Sequence, residues 1–226
     1  MSIILSDSEF IYGANYATLG FSHFTLWTKV PLLQKYWPID TLIWLCSHGD
    51  KLKCYDFTTF FNGLGAGNSI KHFHYQTLKE SFPIFNIKDV VKEFPISGIN
   101  RLNWRMPAYQ MNIDKNDDRC ELISHMDALI LAWIGMSKLN TFNLAHCTIA
   151  DEAIIIFIPR INVPNKCHPS EISNDFGGCE VCGRINIEDE KEWSKFTKGD
   201  TVKIDELLKE LAPLSGHIDW LESHLS

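Results

Sequence analysis

The stretch SIKHFHYQTL at residues 69–78 limits most strongly what this chain can fold into. Its alternating pattern predicts a β-strand, in which successive side chains point to opposite faces of a sheet. One face then carries two imidazoles and an amide, from His72, His74 and Gln76. The other face carries two aromatic side chains that are suited to packing against a core. A polar row on a strand inside a sheet indicates a functional site rather than packing.

Three interpretations of this polar row are open from the strand alone. In the first, the histidines are exposed or hydrogen-bonded residues of an ordinary strand. The second is a zinc site, because His-x-His on one face of a strand can chelate zinc, although Gln76 is a poor ligand at the next alternate position. The third is phosphate chemistry, in which a neutral imidazole attacks phosphorus while its neighbours bind the non-bridging oxygens.

The segment directly before the strand favours phosphate chemistry. Residues 62–69 read NGLGAGNS, and their three glycines are Gly63, Gly65 and Gly67. Glycine allows the backbone to turn tightly and brings amide N–H groups close to an anion. Asn68 and Ser69 add short side-chain donors. A glycine-rich turn alone is a weak signal, but joined to H-x-H-x-Q it predicts a phosphate-binding loop.

Composition and charge limit the kind of protein this chain can form and the partners it can bind. With 226 residues, 45% of them hydrophobic and 22% charged, the chain can form one globular domain, which we expect to span residues 1–226. The net charge of −7 argues against a nucleic-acid polymer as a partner, because binding to a phosphate backbone needs excess Lys and Arg. No apolar run approaches the roughly 18 residues of a membrane span, so no membrane partner is expected.

Two features favour a cytoplasmic location. The first ten residues, MSIILSDSEF, lack the basic region of a signal peptide. The seven cysteines are odd in number and show no spacing typical of a disulfide framework.

Patterns along the chain predict its strands. β-Branched and aromatic residues predict strands at 23–29 and 41–46. The apolar run at 153–160 predicts a buried strand that is stopped by Pro159.

Helical patterns complete an α+β fold class. Apolar residues at helical spacing predict a helix at 121–139 and a helical tail at about 201–226 that breaks at Pro213. Strands followed by a helix and another strand are typical of an antiparallel sheet with helices packed on one side. The polar loop at 162–178 is long for a compact domain, which indicates a functional or mobile segment.

The run from Asn62 to Gln76, NGLGAGNS followed by HFHYQ, resembles the signature of the histidine-triad (HIT) superfamily. It is most similar to the branch that has glutamine in place of the last histidine. That branch contains galactose-1-phosphate uridylyltransferases, diadenosine tetraphosphate phosphorylases and GDP-galactose phosphorylases. Weaker similarity extends to FSHFTLWTK, FNLAH, IIIFIPR and GGCEVCGRI. The resemblance implies a HIT-like fold.

The resemblance also implies a mechanism. The middle histidine of the family motif is the nucleophile, and that position here is His74. It would attack the α-phosphorus of a nucleotide and form a covalent nucleotidyl-histidine intermediate, which divides one displacement into two easier steps. By the same resemblance, His72 would orient the backbone or leaving group and Ser69 would donate to the departing phosphate. Gln76 would bind an α-phosphate oxygen.

The glutamine affects which acceptor is expected. An amide has no proton to give to a leaving group at neutral pH, whereas a histidine at this position could do so. We therefore expect a transferase or phosphorylase rather than a hydrolase. The resemblance implies that it acts on a nucleoside-diphosphate sugar or a dinucleoside polyphosphate. The acceptor would be inorganic phosphate or a phosphorylated compound such as a sugar phosphate, and no cofactor is expected. A nucleotidyl hydrolase and a non-catalytic nucleotide-binding module are the alternatives.

Further residues are candidates for binding the nucleotide or its phosphates. The whole set is Asn62, Gly63, Gly65, Gly67, Asn68, Ser69, Arg160, Glu180 and His23. Arg160 ends the IIIFIPR segment and is a candidate phosphate contact. Glu180 lies in a segment that looks like the family's Glu-x-x-Gly region. His23 lies in a segment similar to the nucleotide-binding strand, although a packed or capping role is the simpler interpretation.

Two further questions stay open in the sequence. Four potential ligands, Cys167, His168, Cys179 and Cys182, could form a zinc site, but one Cys-x-x-Cys without a second pair is modest evidence, and we expect no metal. The C-terminal helices could cover the sheet or form a homodimer contact.

Overall fold

The structure, a computed structural model, describes residues 2–5, 8–15, 22–52, 56–68, 70–114, 118–162, 175–187, 190–196 and 201–225. In these ranges ten strands form one sheet, and every neighbouring pair is antiparallel. The strands are β1 (Ser2–Leu5), β2 (Ser8–Ala14), β3 (His23–Thr28), β4 (Thr58–Asn62), β5 (His74–Leu78), β6 (Val90–Phe94), β7 (Ile99–Leu102), β8 (Tyr109–Ile113), β9 (Asn140–Ile149) and β10 (Glu152–Ile161). Their order across the sheet is β1-β2-β3-β5-β4-β9-β10-β8-β7-β6.

Helices cover both faces of this sheet. They are α1 (Asp40–Leu52), α2 (Arg119–Met136), α3 (Gly178–Val181), α4 (Glu190–Phe196), α5 (Thr201–Lys209) and α6 (Ser215–Glu222), with a 3-10 helix at Pro83–Asn86. No helix in the described ranges is both long enough and apolar enough to cross a bilayer. The expected α+β fold with an antiparallel sheet is confirmed.

Side chains of the central strands alternate between two apolar clusters, one on each face. Phe61 of β4 and Leu144 of β9 belong to the first cluster, which packs against α1, α2 and α6. Their neighbours Phe60 and Ala145 belong to the second cluster, which packs against α3 and α5. Because a strand has a period of two, this alternation shows which of the two faces each polar residue of these strands lies on. The two longest helices, α1 and α2, lie on the first face, whereas α3 and α5 also cover the second, so the helices are not confined to the one side that the sequence predicts.

The predicted strand at 41–46 is wrong, since these residues lie in α1. Leu42, Leu45 and Gly49 are buried at helical spacing. That spacing places them along one side of a helix, which is where α1 meets the sheet. Burial of this side outweighs the strand preference of the isoleucine and tryptophan within it.

The predicted helix at 121–139 is confirmed as α2, with both ends shifted towards the N-terminus. Its first turn begins earlier because the Asp118 carboxylate accepts the backbone N–H groups of Cys120 and Glu121 at 3.0 and 3.2 Å. It ends earlier because Ser137 has an extended backbone. A side-chain cap of this kind satisfies N–H groups that have no partner inside the helix.

Pro159 does not stop β10, which continues through Ile161. Pro159 pairs with Phe142 of β9 on one side. On the other side, β8 pairs with β10 only from Ala153 to Phe157. β10 therefore has a single neighbour at the proline, and a missing N–H is tolerated at such a position.

The helical tail is confirmed as α5 and α6, which lie on either side of Pro213. Leu207 of α5 belongs to the second apolar cluster and Leu221 of α6 to the first. The Glu222 carboxylate also accepts from Lys92 at 2.9 Å and Arg101 at 2.8 Å, which attaches α6 to the strands at one edge. The C-terminal helices thus cover the sheet.

Candidate active site

The strand that carries the histidines begins later than the sequence predicts. β5 starts at His74, and residues 70–73 precede it. Their backbone bonds to the loop after β3, as where the Phe73 N–H donates to the Leu32 carbonyl at 2.8 Å. Within the strand predicted at 69–78, residues 74–78 form β5, whereas residues 70–73 lie beside the irregular loop that follows β3.

The predicted alternation holds in β5. Tyr75 belongs to the first apolar cluster and Leu78 to the second. His74 and Gln76 therefore share the face of the second cluster, where Gln76 pairs with Phe60 of the neighbouring strand. The structure brings these two predicted catalytic side chains to the same side of the sheet.

The ring of His74 is held in one tautomer. Its Nδ1 lies 2.8 Å from the carbonyl oxygen of His72. A carbonyl can only accept, so Nδ1 carries the proton and Nε2 of the neutral ring carries the lone pair. The residue is only 4% exposed, and burial lowers the pKa of His74 despite the bond to the carbonyl. Burial favours the neutral ring, and the bond at Nδ1 leaves Nε2 available, which is the form that attacks phosphorus.

His72 is fixed against the end of β3. Its Nε2 lies 2.8 Å from the carbonyl oxygen of Thr28 and 3.0 Å from the hydroxyl of the same residue. Because the carbonyl only accepts, this nitrogen carries the proton. The ring bond fixes the backbone whose carbonyl orients His74.

His23 and Gln76 come together, although the sequence assigns them to separate segments. Their side chains hydrogen-bond each other, and Asn15 Nδ2 lies 3.1 Å from His23 Nε2. His23 is 4% exposed, and burial lowers its pKa. A neutral His23 therefore holds the amide of Gln76 in a fixed orientation.

The glycine-rich loop is tightly folded. Gly65 and Gly67 have positive φ angles of 78° and 81°, which side chains other than glycine rarely adopt. A β-carbon at Gly67 would lie 2.5 Å from the Cα of Gly177. The Gly63 N–H donates to a β9 carbonyl at 3.0 Å and the Gly65 N–H to Asn68 Oδ1 at 3.2 Å. Ser69 lies outside the described residues.

A buried asparagine pair connects this loop to the sheet. Asn62 and Asn143 are register partners in β4 and β9, and Asn143 Nδ2 donates to Asn62 Oδ1 at 2.8 Å. The same Nδ2 donates to the carbonyl of Ala66 at 2.9 Å. Asn62 Oδ1 also accepts the N–H of Gly178 at 3.0 Å. These bonds hold the loop and the start of α3 against the strand ends.

Arg160 joins this network from β10. It is 1% exposed, and its Nη1 donates to Asn143 Oδ1 at 2.9 Å and to the carbonyl of Phe176 at 2.6 Å. A guanidinium with this geometry draws the loop, the strands and the segment before α3 together. Whether it also contacts phosphate stays a prediction.

Glu180 is buried at the same end of the sheet. Its carboxylate accepts the N–H of Gly177 at 2.9 Å and the side-chain amide of Asn186 at 2.5 Å. Burial raises the pKa of Glu180, while these donors act in the opposite direction. In this arrangement the carboxylate fixes the segment that packs against Gly67.

The zinc interpretation gains no support from the described residues. Cys179 and Cys182 are buried thiols, and burial raises the pKa of both. Cys167 and His168 lie outside the described part of the chain. Within that part, no group of three or more His, Cys, Asp or Glu side chains could hold a metal ion.

Two residues of the site carry no clear signal in the sequence. Asn143 is one of several polar residues in NTFNLAHCTI of β9, so its sequence position does not single it out, and its need for partners follows only from its burial. Gln34 lies in the loop between β3 and α1, where no periodicity marks it. Its contacts arise only when distant segments meet.

Among the described residues, a ten-stranded antiparallel sheet carries His74 and Gln76 on β5, one of its inner strands. Neither the protein-family models nor the curated protein sequences gave a match to this chain. Similarity is found among solved structures, in the yeast Ap4A phosphorylase Apa2. One crystal structure of that enzyme matches this chain with a TM-score of 0.67 at 16% sequence identity, and the match covers 91% of this chain and 74% of that chain.

Two complexes of the same yeast enzyme are also similar. The complex with AMP has a TM-score of 0.66 at 16% identity and covers 91% of this chain and 73% of that one. The complex with Ap4A has a TM-score of 0.64 at 16% identity, with 91% and 74% covered. At this identity the likeness shows the fold. The HIT-like fold that the resemblance implies is thus confirmed.

Proposed function

We propose that this protein is a nucleotidyltransferase of the phosphorylase type. It acts on a dinucleoside polyphosphate or a nucleoside-diphosphate sugar and passes the nucleotidyl group to phosphate or a phosphorylated acceptor. The observation that carries the proposal is the bond from His74 Nδ1 to the carbonyl of His72, because it leaves Nε2 as the nucleophile of a neutral, buried ring. Similarity of the fold to an Ap4A phosphorylase supports the same chemistry.

The reaction has two balanced steps. In the first, the lone pair of His74 Nε2 forms a bond to the α-phosphorus, and the bond from that phosphorus to the bridging oxygen breaks. The leaving group, which is the rest of the nucleotide or a sugar phosphate, takes the electron pair and departs with an anionic phosphate at the broken bond. In the second, an oxygen of the acceptor attacks the same phosphorus, and the nitrogen–phosphorus bond breaks to regenerate the imidazole. An anionic leaving group needs no proton, which agrees with an amide at Gln76.

The surrounding groups have separate roles in this proposal. Gln76, held by His23, binds a non-bridging oxygen of the α-phosphate. The loop from Gly63 to Asn68, with Ser69, receives the phosphates, and Arg160 and Glu180 support it from behind. Fixed donors around a transferring phosphoryl group stabilise its charge without reorganisation during the reaction.

Trapping the intermediate tests this function. The protein is mixed with a panel of dinucleoside polyphosphates and nucleotide sugars in phosphate-free buffer, and its intact mass is measured. We expect a mass increase equal to one nucleoside monophosphate, and its value identifies the base. The adduct should be absent in His74→Ala and present in His224→Ala, which removes an exposed histidine of the C-terminal segment.

Adding phosphate to the loaded protein distinguishes phosphorylase from hydrolase. Release of a nucleoside diphosphate only when phosphate is present supports the proposal. Release of the monophosphate at the same rate in buffer alone would indicate a hydrolase. Nucleotide binding without any adduct would indicate a binding module.

A further inference from the structure

Beside the nucleophile, β4 and β5 separate, and one buried side chain fills the gap. The two strands pair from Thr58 with Leu78 to Phe60 with Gln76. Continuing this register by two residues would place Asn62 opposite His74. That pairing is absent from the described ladder between β4 and β5.

The side chain in the gap belongs to Gln34, which is 1% exposed. Its Oε1 accepts the backbone N–H of His74 at 2.7 Å. Its Nε2 donates to the backbone carbonyl of Asn62 at 2.8 Å and lies 3.4 Å from the carbonyl of His74. One side-chain amide therefore replaces a direct bond between the strands, with its acceptor towards one strand and its donor towards the other.

We propose that Gln34 is a positioning residue that sets the distance between the nucleophile and the phosphate-binding loop. This inference rests on the proposed function. His74 begins β5, and Asn62 is the last residue of β4 before the glycine-rich loop. A bridging amide at this point holds the strands apart where an α-phosphate must fit between the imidazole and the loop amides.

The loop that carries Gln34 is itself well anchored. The backbone N–H of Gln34 donates to the carbonyl of Lys71 at 2.7 Å. Further along, the Tyr36 hydroxyl and the Ile39 N–H both donate to the Asp127 carboxylate of α2, at 2.5 and 2.6 Å. The amide is thus fixed from two sides before any substrate binds, as preorganisation requires.

Loss of the Gln34 bridge should slow attack on phosphorus more than it weakens nucleotide binding. Binding of a nucleotide depends mainly on the loop, whereas attack depends on the correct distance between the loop and the imidazole of His74. A misplacement of about 1 Å can lower the rate of a reaction by about 100-fold. A residue needed only for stability would instead change the folded fraction and leave the rate in the folded protein unaltered.

Gln34→Met tests this, because methionine has similar volume and makes neither hydrogen bond. In single-turnover experiments on folded protein, we expect loading of His74 to slow by about 10- to 100-fold. The dissociation constant for a nucleoside monophosphate should change by less than about threefold. Gln110→Met is the matched control, since Gln110 lies on β8, away from the site, and should load at the wild-type rate.

Gln34→Glu gives a second, independent measurement. Its carboxylate would face the Asn62 carbonyl without a proton, whereas the protonated acid restores a donor there and an acceptor towards His74. The loading rate of this variant relative to wild type should therefore rise as the pH falls, and that of Gln34→Met should not. Wild-type loading rates in both variants would overturn this inference alone. Absence of any adduct on the wild type would overturn the proposed function, and this inference with it.

Discussion

The tautomer of the His74 imidazole is set by a backbone group. The carbonyl oxygen of His72 can only accept a hydrogen bond, so its contact of 2.8 Å with His74 Nδ1 fixes the proton on that nitrogen. Burial then opposes protonation of Nε2. At the residue scale, one hydrogen bond sets the tautomer of this ring, and exclusion of water favours its neutral form.

The lowered pKa of His74 predicts the pH dependence of loading. A protonated imidazole has no lone pair to attack phosphorus. The loading rate should therefore fall only when the pH drops through the pKa of His74 in the folded protein, which burial places below 6.5. A dinucleoside polyphosphate is the suitable substrate, because it has no terminal phosphate that titrates in this range. Single-turnover rates from pH 8 to pH 5 check this. A midpoint at or above pH 6.5 would contradict the effect of burial.

Among the elements, the glycine-rich loop is the one most restricted by its surroundings. Gly67 combines a positive φ with contact to the segment before α3, and the asparagine pair holds the loop from the other side. The loop therefore has one conformation that fits both the sheet and the segment at 176–178. Glycine is required here by the close approach of two backbones.

Gly67→Ala should disturb this contact. We expect a loss of about 1–3 kcal/mol in the free energy of unfolding, because alanine disfavours the positive φ and its β-carbon meets Gly177. Loading of His74 should slow as well. Gly135→Ala is the control, since nothing lies within 4 Å of a β-carbon there and alanine favours the helix α2. Urea unfolding of both variants checks the prediction, and equal stabilities would contradict it.

On the scale of the whole molecule, two buried histidines lie on the face of the sheet opposite to His74. His146 of β9 and His48 of α1 lie on the first face, and they are 0% and 1% exposed. His48 Nε2 lies 3.0 Å from the hydroxyl oxygen of Thr77. Neither ring nitrogen of His146 has a hydrogen-bond partner among the described residues. Burial lowers the pKa of His146 to about 4 and that of His48 to about 3.

These two rings predict loss of stability in mild acid. The unfolded chain binds a proton on each ring near pH 6.5, whereas the folded protein resists protonation to about 4 and 3. Unfolding thus takes up protons, and the free energy of unfolding should fall by up to about 1.4 kcal/mol per pH unit for each ring as the pH drops from 6.5 towards the folded pKa of that ring. Urea titrations at several pH values measure this slope.

His146→Leu removes one of these titrations and should make the slope shallower below pH 6.5. His48→Gln offers the same test if the leucine variant does not fold. His224→Gln, which changes an exposed histidine, should retain the wild-type slope. Parallel slopes for the wild type and both buried variants would show that these rings do not control acid stability.

The sequence by itself determined features that depend on local periodicity. The alternation in HFHYQ identified which side chains share a face, and the helical spacing before Met136 identified α2. The order of glycine-rich loop and histidine strand indicated phosphate chemistry. Such patterns repeat the geometry of the backbone over a few residues, so they can be recognised without knowing which segments meet.

Only the tertiary structure decided which distant groups complete the site. Gln34 is 40 residues from His74, and Asn62 is 81 residues from Asn143. These contacts follow from the strand order that places β5 and β9 on either side of β4. The same is true of α1, where burial against the sheet outweighed local strand preference. Long-range hydrogen bonds depend on strand order and register, and a local sequence pattern contains information about neither.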